Sequence, residues 1–197
     1  MEAGAKLVEC LEQKHAAIAA RWLAATLNAY PAAAADLFRQ ERDPFANPVG
    51  HALRVGLDAA LGALVQGREP TEVAACLDDI LKMRAAQELT PTRALSFIFS
   101  LKESIRAELR SDDRGPAFSL ELAALDQRID HLALAAFDRY VAHRGRIYEL
   151  RVSEVKRSVR VLVERMYRHR PPLLPADREL VQLETAPSLT VCERSDP

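Results

Sequence analysis

One stretch of the sequence decides the fold class: FSLELAALDQRIDHLALAAFDRYVAHRGRIYELRVSEVKRSVRVLVERMYR (118–168). Its apolar residues recur in alternating steps of four and three, which brings side chains to one face of an α-helix. The first half shows Phe118, Leu122, Leu125, Ile129, Leu132 and Ala136. The stretch contains no proline, so it predicts one helix of about fifty residues, well above the usual length of a core helix. We expect this helix to leave the domain or to bend near Gly145.

The rest of the chain is predicted to be helical as well. Its apolar residues are mostly Ala and Leu, which lose little side-chain freedom in a helix. Asn47-Pro48 and Thr90-Pro91 are typical helix starts, because a capping side chain precedes a proline. The predicted fold is an all-α protein, a single helical bundle with a long C-terminal helix. The other helices are expected over about 3–29, 32–40, 48–66, 70–87 and 91–109.

Composition and charge exclude several classes of protein. The chain has 197 residues and a formal net charge of -1, so it has no overall field that would gather nucleic acid. No apolar stretch is long enough to cross a membrane, and the N-terminus has no signal-peptide pattern. Cys10, Cys76 and Cys192 lie far apart and form no CxxC pair, which is typical of reduced thiols. We therefore expect a cytoplasmic protein that neither enters membranes nor binds nucleic acid.

The second half of the long helix carries the pattern of a coiled coil. A heptad seam steps by four and three through Tyr148, Val152, Val155, Val159, Leu162 and Met166. Charged residues flank this narrow apolar seam, and β-branched residues at alternating seam positions favour a parallel dimer. The alternative is that the helix packs against its own domain, but a core-facing helix usually has a wider apolar stripe. The seam therefore predicts a homodimer.

Gly145 marks the predicted boundary between core and partner helix. We expect residues 1–145 to form a helical domain, residues 146–170 an extension helix that dimerises, and residues 171–197 a flexible tail. The tail contains several prolines and few apolar anchors, which is typical of extended or disordered chain.

A few polar residues lie within apolar surroundings. Asp130 and Asp138 are eight positions apart, so both carboxylates lie roughly on one side of the helix. Arg84 and Gln87 end the leucine-rich fourth helix, and Arg84 would be a suitable partner for a half-buried carboxylate. These residues predict either a polar pocket or buried network, or merely the solvent-facing edge of each helix.

Catalytic and metal-binding patterns are missing from the sequence. It contains no recognisable Ser/His/Asp motif, no glycine-rich phosphate loop and no HExxH. None of the histidines stands in a standard ligand motif: His15, His51, His131, His143 and His169. We expect a protein that is not an enzyme and has no metal or cofactor. The alternative is a lone histidine that holds haem in a globin-like fold.

Several segments together resemble a known family. They are DPFANPVG (43–50), MRAAQ (83–87), TPTRALSF (90–97), RIDHLALAAFD (128–138) and YELRVSEVKR (148–157). In this order they resemble the RsbRD-type N-terminal sensory domain of RsbT co-antagonist proteins of the stressosome. The recurring polar positions of that family match Asn47, Arg84, Gln87, Asp130 and Asp138.

The resemblance implies a regulatory input module that is helical, globin-like without haem, and dimeric. In the RsbR group such modules feed a STAS domain or a kinase. Nothing after Pro171 resembles either, so we expect a stand-alone module whose output is a separate signalling or regulatory protein. Two alternatives stay open: a globin-like protein that binds haem or another small ligand, and an accessory subunit of a sulfur-metabolism redox complex.

Overall fold

The structure is a computed structural model that describes residues 2–110 and 118–168, with side chains from residue 6 onward. His169, Cys192 and the predicted tail lie outside these residues. The described part contains eight helices and no strand, which confirms the all-α prediction. The helices are α1 (Glu2–Gln13), α2 (His15–Leu27), α3 (Ala32–Gln40), α4 (Pro48–Val65), α5 (Pro70–Cys76), α6 (Asp78–Ala86), α7 (Pro91–Arg110) and α8 (Ser119–Arg168). The chain divides into two compact units, one ending at Leu150 and one beginning at Arg151.

Two predicted helices are each divided in the structure. The first breaks at Lys14 and the fourth at Leu77, where both residues have φ and ψ near -95° and 5° rather than helical values. Neither residue is a glycine or a proline, so the local sequence gave no signal. At these breaks Leu77 is fully buried, and Lys14 Nζ donates to the Glu108 carbonyl at 2.8 Å.

The core of the first unit is arranged around α4. This helix contacts α1, α2, α3, α5 and α6, and it buries the predicted Leu53, Leu57, Leu61 and Leu64. Gly56 allows α4 to approach α5 and α6 closely, because a Cβ there would lie 3.0 Å from both the Cys76 carbonyl oxygen and Ile80 Cδ1. Any larger side chain at position 56 would push these helices apart.

A second contact joins α2 to α7. Trp22 is fully buried, and its indole Nε1 donates to the Phe97 carbonyl oxygen at 2.7 Å. The two rings are stacked, with their centroids 6.3 Å apart. A buried indole N–H without an acceptor would cost free energy, and the Phe97 carbonyl supplies the acceptor here.

The helix α8 closes the first unit along one side. Its buried residues include the predicted Leu125, Ile129, Leu132 and Ala136. Arg128 Nη2 donates to the Leu64 carbonyl of α4 at 2.6 Å, and Arg106 of α7 pairs with Asp126. The helix is one element from Ser119 to Arg168, so Gly145 does not end it.

Asn47 joins α3 to α4, and its side chain is almost completely buried. Its Oδ1 accepts from the Gly50 N–H at 2.8 Å, which caps α4 as the Asn47-Pro48 pair predicts. Its Nδ2 donates to the carbonyls of Glu41 at 2.9 Å and Phe38 at 3.1 Å, at the end of α3. One amide therefore satisfies the first donors of one helix and the last acceptors of another.

This double role predicts the effect of Asn47→Asp. Aspartate is normally as good a cap as asparagine, but here one carboxylate oxygen would face the carbonyl oxygens at the end of α3. We expect the free energy of unfolding in urea to fall by about 2–3 kcal/mol. The matched control is Asp43→Asn, whose exposed side chain accepts from the Phe45 N–H at 2.9 Å and should change stability by less than about 0.5 kcal/mol. An Asn47→Asp variant as stable as the wild type would contradict this role of Nδ2.

Candidate functional site

A cleft of about 630 Å³ opens between three parts of the first unit. Its walls are the connection from α2 to α3, the end of α6 with the connection to α7, and the first turns of α7. Among the described residues, those that line it include two arginines and no acidic residue. They are Asn28, Ala29, Tyr30, Pro31, Arg84, Gln87, Leu89, Arg93 and Ser96.

Arg84 is the buried cation of this cleft, with only 1% of its surface exposed. Its Nη1 donates to the carbonyl oxygens of Arg93 and Ala94, both at 3.1 Å. The guanidinium carbon lies 4.5 Å from the centroid of the Phe97 ring and 5.6 Å from that of Tyr30. Two backbone carbonyls and two aromatic rings thus hold the guanidinium in place.

The remaining guanidinium nitrogens of Arg84 are unsatisfied. Nε and Nη2 are buried and have no hydrogen-bond partner among the described residues. Burial lowers the pKa of Arg84, and the adjacent Tyr30 side chain acts in the opposite direction. Because an arginine stays charged in proteins, the site holds a buried positive charge, and two of its hydrogen-bond donors have no partner among the described residues. Buried polar groups without partners are rare, so this one requires an explanation.

Hydrogen bonds connect the cleft to α8 within the first unit. The Tyr140 hydroxyl donates to the Leu89 carbonyl, and Arg144 Nη1 donates to the Ala85 carbonyl at 3.2 Å. Glu88 lies between these two points, and its φ of 57° is in the left-handed region, where residues other than glycine are strained. The segment at the end of α6 that forms this cleft wall is therefore hydrogen-bonded to α8, and its backbone is strained at Glu88.

Asp78 provides a further connection between α6 and α8. Its Oδ1 accepts from His143 Nε2 and from Arg139 Nη1, both at 3.0 Å. Partial burial works to raise the pKa of Asp78, but the bonds and charges of His143 and Arg139 outweigh it and lower that pKa below 3.8. His143, a buried histidine of the described core, therefore has its Nε2 engaged by a carboxylate.

The five predicted polar residues do not form one network. The structure brings Arg84 and Gln87 to the same cleft, with Gln87 exposed at its rim. Asn47 belongs to the joint between α3 and α4. Asp130 is half exposed and accepts from Lys102 Nζ at 2.6 Å, and Asp138 is exposed. Arg84 donates hydrogen bonds to backbone carbonyls, whereas the sequence led us to expect a carboxylate as its partner.

Sequence reasoning missed Tyr30, Phe97 and Arg93 as neighbours of Arg84. They come from other helices or connections, and no local pattern relates them. One signal was present, because Arg84 follows Ile80 and Leu81 at helical spacing and thus lies on the apolar face of α6. An arginine in that position predicts a buried cation.

A second candidate surface lies on the outer side of α8. Within the first unit Leu134, Phe137, Val141 and Tyr148 are exposed, in positions that share one helical face. In the second unit every residue from 151 to 168 is exposed. The predicted seam residues there are between 49% exposed, at Val152, and 74% exposed, at Met166.

The described residues contain neither a metal-binding cluster nor a membrane-spanning helix. Residues 2–110 and 118–168 contain no group of three or more His, Cys, Asp or Glu side chains that could hold a metal ion. No helix within these ranges has the length and apolar character needed to span a membrane.

Comparison with known proteins gives one family. A family model described as the RsbT co-antagonist protein rsbRD N-terminal domain matches residues 16–155, well over half of the chain. This confirms the resemblance identified from the sequence segments. No curated protein and no solved structure matches significantly, so the globin-like arrangement stays a prediction.

The Asp78 cluster predicts a pH-dependent effect of Asp78→Asn. Because the pKa of Asp78 is lower in the folded protein, its ionised form stabilises the fold above pH 3.8, and this contribution is lost as the pH falls through the folded pKa. Asp78 is more than a third exposed, so we expect a loss of about 1 kcal/mol or less at pH 7. Urea unfolding at pH values from 7 to 3 would measure it.

The control for this prediction is Asp79→Asn, which removes an exposed carboxylate from the same first turn of α6. The stability difference between the two variants should be present at pH 7 and become smaller as the pH falls below 3.8 through the folded pKa of Asp78. A difference that is constant with pH would show that ionisation of Asp78 is not the cause.

Proposed function

Because the chain belongs to the family of the RsbT co-antagonist protein rsbRD N-terminal domain, we propose that it is a non-catalytic input domain of a bacterial signalling system. It acts as a homodimer through the second half of α8. Its output is read by a separate signalling or regulatory protein in the cytoplasm. Residues 1–145 form the sensory part, and residues 146–170 form the helix that dimerises.

The observation that carries this proposal is the uncovered helix over residues 151–168, in which every side chain is exposed. An isolated helix of about this length is only marginally stable in water, and most helices owe their stability to packing of an apolar face. The apolar seam from Val152 to Met166 packs against nothing within the described part of its own unit. A second copy of the same helix would cover it.

The seam has the features of a specific helix pair. Val152 and Val159 place β-branched side chains at alternate seam positions, with Leu162 between Val159 and Met166, which favours a two-stranded parallel coiled coil. Charged residues on both sides of the seam, among them Arg160 and Glu164 with atoms 4.0 Å apart, keep the apolar surface narrow. In the sequence the spacing continues backward through Tyr148 to Val141, which are also exposed. The interface would therefore not end at Val152.

A route from the cleft to this interface is available within the first unit. The wall that carries Arg84 is bonded to α8 at Tyr140 and at Arg144, and the first turn of α6 is bonded to α8 through Asp78. A change in the cleft that moved Leu89 or Ala85 would act on the same turns of α8 that precede the seam. The cleft and the dimer interface could influence each other if both act on the conformation of this strained segment around Glu88.

The dimer is tested by Val155→Glu. Each dimer would then place two carboxylates in an apolar seam, and an unpaired buried charge costs several kcal/mol. We expect the dissociation constant to rise about 100-fold or more, so that light scattering gives a monomer mass at micromolar concentration. The wild type should give a dimer mass under the same conditions.

The matched control is Ser153→Glu, which adds the same charge on the opposite face of the same helix. It should stay dimeric. A wild type that is monomeric, or a Val155→Glu variant as dimeric as Ser153→Glu, would remove the seam from the proposal.

A further inference from the structure

We propose that the cleft beside Arg84 binds a small organic oxyanion, whose negatively charged group pairs with the unsatisfied edge of the Arg84 guanidinium. This inference rests on the proposed sensory function and names the chemistry of its input. The oxyanion is a carboxylate or a phosphate ester, and both present two oxygens to one guanidinium.

The positions of the two donors without partners among the described residues, Nε and Nη2 of Arg84, support a ligand that offers two oxygens side by side. Nε and Nη2 lie on the same edge of a guanidinium and point their N–H groups in parallel, which matches a carboxylate or phosphate. Nη1, on the other side, is already used by the carbonyls of Arg93 and Ala94. The hydrogen bonds of Nη1 thus fix one side of the guanidinium. The edge formed by Nε and Nη2 makes no hydrogen bond to a described residue and is free to pair with the two oxygens of an oxyanion.

The charge of the cleft supports an anion. Arg84 and Arg93 both line it, and no described lining residue is acidic. A buried cation without a carboxylate partner is costly, and an anionic ligand would offset that cost. Asn28, Gln87 and Ser96 add neutral hydrogen-bonding groups at the rim.

The size of the cleft supports an organic body rather than a bare inorganic ion. Its volume of about 630 Å³ lies within the range of about 300–1,000 Å³ that is usual for small-molecule sites. Ala29, Pro31 and Leu89 give it apolar wall area next to the charged end. A molecule with one anionic end and a short carbon chain would fit this lining.

Tyr30 is the aromatic neighbour of Arg84 in the lining of the cleft. Nε and Nη2 are buried, and the Tyr30 ring lies close to the guanidinium. Tyr30 belongs to the short connection between α2 and α3, and its ring meets Phe38 edge-on at 5.4 Å. An anion bound at this edge would lie beside the Tyr30 ring, so that binding would act on this connection.

The test is calorimetric titration and thermal unfolding of the full chain at constant ionic strength. The probes are succinate, glycerol 3-phosphate, acetate, inorganic phosphate and the neutral succinamide. We expect saturable binding and a raised melting temperature with succinate or glycerol 3-phosphate, weaker effects with acetate and phosphate, and none with succinamide. Which of the two organic probes binds more tightly identifies the anionic group.

Variants locate the site. Arg84→Lys keeps the charge but cannot offer the parallel donors, and we expect its affinity to fall at least about 10-fold. Because position 84 is buried and this variant could misfold, the exposed Arg93→Gln is the second test, with an expected loss of about 3-fold to 10-fold. Arg68→Gln, which removes an exposed arginine that does not line the cleft, should bind like the wild type.

The proposal is overturned by the absence of saturable binding with every anion, by an equal response to succinamide, or by unchanged affinity in Arg93→Gln. Light scattering of the same samples separates this result from the proposed dimer. Anion binding to a monomeric wild type would remove the dimer and keep the site. A dimer that binds none of the anions would remove the site and keep the dimer.

Discussion

The burial of the Arg84 guanidinium is the constraint on which the arrangement of the first unit depends. A cation in an apolar core is tolerated only if other groups replace its water, and here the replacements come from three directions. Carbonyls at the start of α7 accept from Nη1, the Phe97 ring packs against the guanidinium, and Tyr30 approaches from the α2–α3 connection. The ends of four helices are therefore placed relative to one side chain.

The sequence predicted the helical class and most helix bounds, because these follow from local spacing and capping signals. Asn47-Pro48 is a clear case, since the cap forms as expected. The breaks at Lys14 and Leu77 could not be predicted, because neither residue is a glycine or a proline and no other local signal marks them. The dependence on local signals limits the prediction of the candidate site in the same way. Arg84 could be singled out by its position on an apolar face, whereas its aromatic and carbonyl neighbours come from distant parts of the chain.

The helix α8 combines two kinds of surface along one continuous element. In the first unit one face packs on the core while another exposes Leu134, Phe137 and Val141. The family match ends at Val155, in the middle of the seam. Three of the six seam residues, Val159, Leu162 and Met166, thus lie beyond the matched range.

The burial of Trp22 has a practical consequence. It is the single tryptophan of the chain, it is fully buried, and its indole donates to the carbonyl of Phe97, whose ring packs against Arg84. The emission of this indole is therefore governed by one environment, beside the phenylalanine that also packs against Arg84. The protein contains a native optical reporter for events at Arg84, with no label and no competing tryptophan signal.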